Sequence, residues 1–178
     1  ILSSALNQSK YDLLIENYFD KISKKDGITS LNTAFSSEGS FIHIPKNVQV
    51  DKPIQVIYFS TGKNESVFYQ PRNLIIVGEN SQVEIIERHQ SLSENSVLVN
   101  SVSEIYCNVR SVVKHYKIQN DKTNASLIDN TFVSQERNSD YSLHTFSLGG
   151  ELTRNNLSIL QNGERIESTI NGITIIGA

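Results

Sequence analysis

The chain has 178 residues and a net charge of −3, from 19 acidic against 16 basic side chains. It is sized for one core and lacks the positive surplus that holds a nucleic acid through its phosphates. Hydrophobic residues at 38% and charged residues at 20% place it clear of disorder, and no apolar run approaches the roughly 20 residues of a membrane span. The single cysteine, Cys107, excludes an intramolecular disulfide framework and a C-x-x-C zinc site, and it fits a reducing, cytoplasmic compartment. Methionine is absent even from the first position, and the chain stops at Gly177-Ala178 directly after an apolar ITII, so a longer parent protein is expected.

Ser9 and Asp12 have capping-box spacing, and Leu14, Ile15, Tyr18, Phe19 and Ile22 recur on one face, which predicts a helix stopped by Gly27. An isolated helix of that length is marginal in water, so its apolar face is expected to pack on the rest of the chain. A shorter helix is expected from Thr29 to Phe35, with Leu31, Ala34 and Phe35 on its buried side and Ser36 to Gly39 ending it.

From Phe41 the pattern changes to short runs rich in Ile, Val, Phe and Tyr, separated by clusters of Asn, Ser, Asp and Gly. The runs are FIHIP from Phe41, IQVIYF from Ile54, NLIIV from Asn73, QVEIIE from Gln82, VSEIYC from Val102, SVVKHYKI from Ser111, SLIDNTFV from Ser126, YSLHTFSL from Tyr141, NLSIL from Asn156 and ESTINGITII from Glu167. Asn80, Asn108 and Asn138 each precede a strand of similar length, while Asn73, Ser101, Ser126 and Asn156 open a second set lying between them. Each set recurs after about 25 to 30 residues, a solenoid period.

Two strands per coil joined by Asn-rich turns describe a β-helix, because Asn tolerates the left-handed backbone that tight corners require. The pattern places Ile85, Val113 or Val112, and Phe146 at stacked interior positions, with Asn80, Asn108 and Asn138 at or beside corners. A sandwich of about ten antiparallel strands is the competing architecture on pattern alone.

Four stretches, LNTAFSSEGSFIHIPKNVQVDKPIQV from Leu31, QPRNLIIVGENSQVEIIE from Gln70, VKHYKIQN from Val113 and SLHTFSLGGELTRNNL from Ser142, carry a further signal. Together they resemble the SufB/SufD family of iron–sulfur cluster assembly proteins, the SufD branch in particular, in order from about Asp12 to the last residue. The resemblance implies a right-handed parallel β-helix preceded by a helical region, here residues 39–178 and 1–38. It also implies a non-catalytic role beside SufB and the ATPase SufC in building clusters on a scaffold. Members of that family continue further, through more coils, a His/Cys-bearing stretch soon after the strand represented by Asn171-Gly172, and a C-terminal region that docks on SufC. No cluster-site histidine can therefore be carried onto a position here, and the cluster is expected only transiently, in the full complex.

Among the histidines, period-2 alternation in SLHTFSL sets His144 on the inner face with Phe146 and Leu148, whereas His115 is expected to face out. Cys107 closes the strand VSEIYC and reads as a small core residue. Cys107, His115 and His144 are the metal or sulfur candidates weighed here, and none shows a converging ligand set in sequence. The carboxylates Glu84, Glu87, Glu104, Asp129, Glu136 and Asp140 read as solvated faces. No Gly-x-x-x-x-Gly-Lys loop occurs, so ATP use falls to a partner. The alternative to a scaffold is a carbohydrate-active β-helix enzyme, which would need acidic residues stacked on adjacent coils. Association with a second copy is a further expectation, through an open last coil ending in the apolar strand Ile173 to Ile176.

Overall fold

A computed structural model of the chain describes residues 2, 6–36, 38–62 and 65–175. Ser37, within the predicted stop after the second helix, and Ile176, which ends the last predicted strand, with Gly177 and Ala178 after it, lie outside the described residues. A 3-10 turn (Ser9–Tyr11) leads into α1 (Asp12–Tyr18), and α2 (Gly27–Phe35) follows. The strands are β1 (Phe41–Ile44), β2 (Ile54–Ser60), β3 (Val67–Tyr69), β4 (Arg72–Val77), β5 (Gln82–Ser91), β6 (Val97–Cys107), β7 (Val112–Gln119), β8 (Ala125–Gln135), β9 (Asp140–Ser147), β10 (Leu152–Gln161) and β11 (Glu167–Thr174).

One sheet runs β1-β4-β6-β8-β10, with β3 also on β6, and the other runs β2-β5-β7-β9-β11. Every ladder between these strands is parallel. The chain passes from one sheet to the other and back, one coil on the next, so the fold is a parallel β-solenoid and the antiparallel sandwich is excluded.

The interior divides into an apolar half and a polar half. Where the first sheet ends and the second begins, Ile75, Val77, Ile105, Cys107 and Val133 meet Val83, Ile85, Val113, Tyr141 and Leu143. Register makes columns of them, as in Ile42–Ile75–Ile105–Val133–Ile159. Ile85 and Val113 are interior as expected, but Phe146 lies on the outer face, since Tyr141, Leu143 and Ser147 are the inward residues of β9.

The corner between the sheets repeats a left-handed residue in every coil: Asn47, Asn80, Arg110, Asn138 and Arg165, with φ of 62°, 55°, 56°, 60° and 55°. Their amides step from coil to coil, Asn47 N–H donating to Glu79 O, Asn80 N–H to Val109 O, Arg110 N–H to Arg137 O and Asn138 N–H to Glu164 O. Asn108 sits two residues before its corner and donates from Nδ2 to Val77 O at 2.9 Å.

The helical region packs on the outer face of the first sheet. Leu14, Tyr18, Phe19 and Ile22 lie against Leu74, Ile76 and Tyr106. The predicted helix does not reach Gly27, however; it ends at Tyr18, and Asp20 turns left-handed with φ of 58°. The cause is Glu104 on β6, whose carboxylate accepts from the backbone N–H of Asp20 at 2.7 Å, Ile22 at 3.0 Å and Ser23 at 3.2 Å. Those amides cannot serve a helix as well. Arg72 Nη2, fully buried, donates to the same carboxylate at 2.6 Å.

Gly27 then begins α2 rather than stopping α1, because the Asp26 side chain caps that helix by accepting from Thr29 N–H at 2.8 Å. The face of α2 that meets the solenoid is polar. Asn32 donates to the carbonyls of Pro71 at 3.0 Å and Asn100 at 2.7 Å, while Leu31, Ala34 and Phe35 are exposed, contrary to the amphipathic expectation. Gly39 closes the region with φ of 147°, where an added Cβ would stand 1.7 Å from Arg72 O.

Glu104 thus ties the helical region to the solenoid. Glu104→Ala leaves the Arg72 guanidinium buried without its closest anion, which costs about 3 to 5 kcal/mol. The expected outcome is a lower urea midpoint, together with faster hydrogen exchange across residues 12–35.

Candidate functional site

The polar half of the interior holds a connected set of ionisable side chains. Strand β5 turns Glu87 and His89 inward, β7 turns His115, Lys117 and Gln119 inward, and β8 contributes Asp129 and Thr131 from the facing sheet. Ladder register places Glu87 beside Lys117, and His89 beside Tyr58 and Gln119.

Glu87 is the hub. Its Oε1 accepts from His89 Nε2 at 3.0 Å, its Oε2 accepts from His115 Nε2 at 3.1 Å, and Lys117 Nζ stands 3.6 Å from Oε2. Lys117 donates to Asp129 Oδ2 at 2.6 Å and to Thr131 Oγ1 at 2.7 Å. His115 Nδ1 meets Tyr141 OH at 3.1 Å, and His89 stacks on Tyr58 at 4.8 Å. Tyr58 OH reaches Asn73 Oδ1 at 2.5 Å, and Asn73 Nδ2 donates to Ser103 Oγ at 3.0 Å.

The protonation pattern follows from these contacts. Burial opposes ionisation of Glu87, yet Lys117 and the imidazole N–H groups of His115 and His89 outweigh it and hold the carboxyl well below its usual range. Burial likewise opposes the Lys117 ammonium, but Asp129 and Glu87 carry its pKa above the ordinary value. An ionised Glu87 only accepts, so both histidines donate to it through Nε2. Burial lowers the His115 pKa, leaving a neutral ring whose Nδ1 accepts from Tyr141 OH. Burial, then the nearby thiol and carboxylates, push the Tyr141 phenol well up, so it keeps its proton and donates it to His115.

His115, expected on the surface, is fully buried at this site. His144, expected inside, is on the outer face, stacked on Tyr116 at 5.1 Å with Nδ1 3.4 Å from Asn171 Nδ2. Cys107 is buried in the apolar half, and burial with nearby Asp140 pushes its thiol up, away from the thiolate. The three candidates therefore do not converge. Among the described residues no group of three or more His, Cys, Asp or Glu is arranged to hold a metal ion. Between Glu87 and Asp129 the Lys117 ammonium already occupies the cation position.

Glu87, Glu104 and Asp129 are buried rather than solvated, whereas Glu84 forms an ion pair with Lys114 at the surface. Sequence reasoning missed Glu87, His89, Lys117 and Asp129 as a group. The available signal was the repeat itself, since register aligns His115 with the inward Ile85 and Leu143.

The site predicts a pH dependence. His115 binds its proton more weakly when folded than at its ordinary value of 6.5, so below that pH the unfolded chain takes up more protons and stability falls. Glu87 contributes in the same direction at lower pH, as the pH falls from its ordinary value of 4.5 through its depressed folded value. Urea titrations between pH 8 and pH 5 are expected to show declining stability, limited to about 1.4 kcal/mol per pH unit for one proton. In His115→Gln the decline between pH 7 and pH 5 should be shallower.

Comparison with known proteins bears on this fold. The model of the SUF system FeS cluster assembly, SufBD core domain, matches residues 58–178, and that of the SufBD protein N-terminal region matches residues 2–56. An iron–sulfur cluster assembly SufBD family protein from Synechocystis is 30% identical over 173 residues, which are 91% of this chain and 38% of the relative. The iron–sulfur cluster assembly protein SufD of Bacillus subtilis is 29% identical over 67% of this chain and 27% of its own length. SufB of Plasmodium falciparum is 37% identical over 62% of this chain and 24% of its own length. The chain thus spans well under half the length of these curated relatives. With one model matching nearly the whole solenoid and the other the helices before it, the chain belongs to the SufBD family of iron–sulfur cluster assembly proteins.

Proposed function

We propose that this chain belongs to a non-catalytic assembly subunit of the SUF machinery, working in the cytoplasm beside a SufB-like β-solenoid and a SufC-like ATPase, on the SufD side of that pair. The observation that carries the reading is the core-domain match across residues 58–178. The solenoid interior agrees with it physically. Its ionisable groups are spent on one another, with Glu87 and Asp129 ion-paired to Lys117 and Cys107 held as a thiol. This leaves buried carboxylates poorly placed to act on a polysaccharide, the alternative raised by the fold alone. Pairing with another chain suits a β-solenoid, whose sheets present flat outer faces to a partner. Among the described residues no helix is long and apolar enough to cross a membrane.

In this reading the iron–sulfur cluster is cargo of the complex. Holding one requires several thiolates or imidazoles brought to one place, and here His115 already donates to Glu87 while Cys107 lies on the other side of the interior.

Affinity purification of the full-length protein from its own cells is expected to recover an ATPase and a second β-solenoid relative. Recovery of the protein alone, or cleavage of pectin-like polysaccharide by it, would overturn the reading. Anaerobic reconstitution of this chain with iron and sulfide should give no stoichiometric charge-transfer band. A band that vanishes in Cys107→Ser would show the thiol to be a ligand.

A further inference from the structure

A groove of about 330 Å³ lies between the segment joining α1 to α2 and the outer face of β8 and β10. Its polar lining comes from Lys24 and Asp26 on the joining segment, Asn130 on β8, and Arg154 and Asn156 on β10, with Phe132 as its apolar side chain. The volume is that of a small-molecule site.

Three features of the lining point to one kind of ligand. Asn130 is only 5% exposed, its Oδ1 accepts from Asn156 Nδ2 at 2.8 Å, and its Nδ2 has no partner. A buried donor left unmet is costly, so an acceptor is called for there. Arg154 Nε donates to Asn156 Oδ1 at 3.1 Å, which orients the guanidinium while both terminal nitrogens stay available. Lys24, unlike the neighbouring Lys25, forms no ion pair among the described residues. Asp26, the one acid in the lining, is committed to capping α2 through Thr29 N–H. The groove thus offers donors from β8, β10 and a loop, with a net positive charge.

We propose that this groove binds the phosphate group of a small metabolite, Arg154 and Lys24 supplying charge and Asn130 Nδ2 the fixed buried donor. Donors from three separate segments suit a tetrahedral oxyanion better than a planar carboxylate, which a single guanidinium fork satisfies. The apolar face of Phe132 accommodates the uncharged remainder of the ligand. Because the donors come from both the joining segment and the solenoid, the bound anion clamps one to the other. The inference does not depend on the assembly role proposed above.

Inorganic phosphate titrated into the isotopically labelled full chain at constant ionic strength tests it, with the Asn130 side-chain amide and Arg154 Nε signals followed by NMR. Saturable shifts at both are expected, with slower hydrogen exchange across residues 19–26. Binding should weaken about tenfold in Arg154→Gln and in Asn130→Asp, which keeps the size and reverses the polarity, and should be unchanged in Lys52→Gln. Shifts that chloride reproduces, or saturation undiminished in both groove variants, would overturn the site. Tighter saturation by acetate than by phosphate would overturn the assignment to phosphate.

Discussion

Parallel strands in a solenoid stack about 4.8 Å apart, and each interior side chain therefore stands directly beside its equivalents in the coils before and after. A polar group turned inward must find its partner in one of those neighbours or on the facing sheet. The column Val56–Glu87–Lys117–Thr145 satisfies this by placing opposite charges on successive coils. The next column, Tyr58–His89–Gln119–Ser147, supplies the ring that stacks and the N–H that donates. Shifting a strand by one residue would turn Glu87 out and Ile86 in, so the ionic contacts and the apolar columns enforce the same register.

The two buried carboxylates apply one rule on opposite sides of the wall. Glu87 faces inward from β5 and gathers side-chain donors from β5 and β7, whereas Glu104 faces outward from β6 and gathers backbone donors from residues 20–23. Each carboxylate collects enough hydrogen bonds to remain buried as an acceptor, and removing either takes an anion from a buried cation, Lys117 being left with Asp129 alone and Arg72 with Asp20 alone. Such pairs specify arrangement more than they add net stability.

The solenoid was legible because strand, corner and spacing signals all recur with the coil. Corner chemistry could be read at Asn80 and Asn138, but not at Arg110 and Arg165, which take the same left-handed conformation against their intrinsic preference. Ile85 and Val113 were read correctly as interior, but the inward face of β9 was not legible, for a definite reason. The outer face of the second sheet is itself rich in apolar residues, Ile57, Ile118, Phe146 and Ile173 among them, so alternation in YSLHTFSL is apolar on both phases. His144 and His115 were exchanged as a result. The end of α1 was illegible for another reason: the carboxylate that ends it is 84 residues away in sequence from Asp20.

That long-range contact also governs the surface beside it. Ser23 N–H is fixed to Glu104, and Lys24 is the next residue, so the path of the joining segment across β8 and β10 is set from inside the fold. From there Asp26 caps α2, whose Asn32 fastens to the carbonyls of Pro71 and Asn100. The helical region is therefore held by hydrogen bonds to Glu104, Pro71 and Asn100 and by one apolar patch, all on the side of the first sheet. The patch residues Leu14, Tyr18, Phe19 and Ile22 pack on Leu74 and Ile76 of β4 and Tyr106 of β6. The two outer faces consequently differ in kind: one is covered and pinned by hydrogen bonds, and the other presents mixed columns such as Ile57–Arg88–Ile118–Phe146–Ile173, whose order is fixed by the ionic contacts behind them.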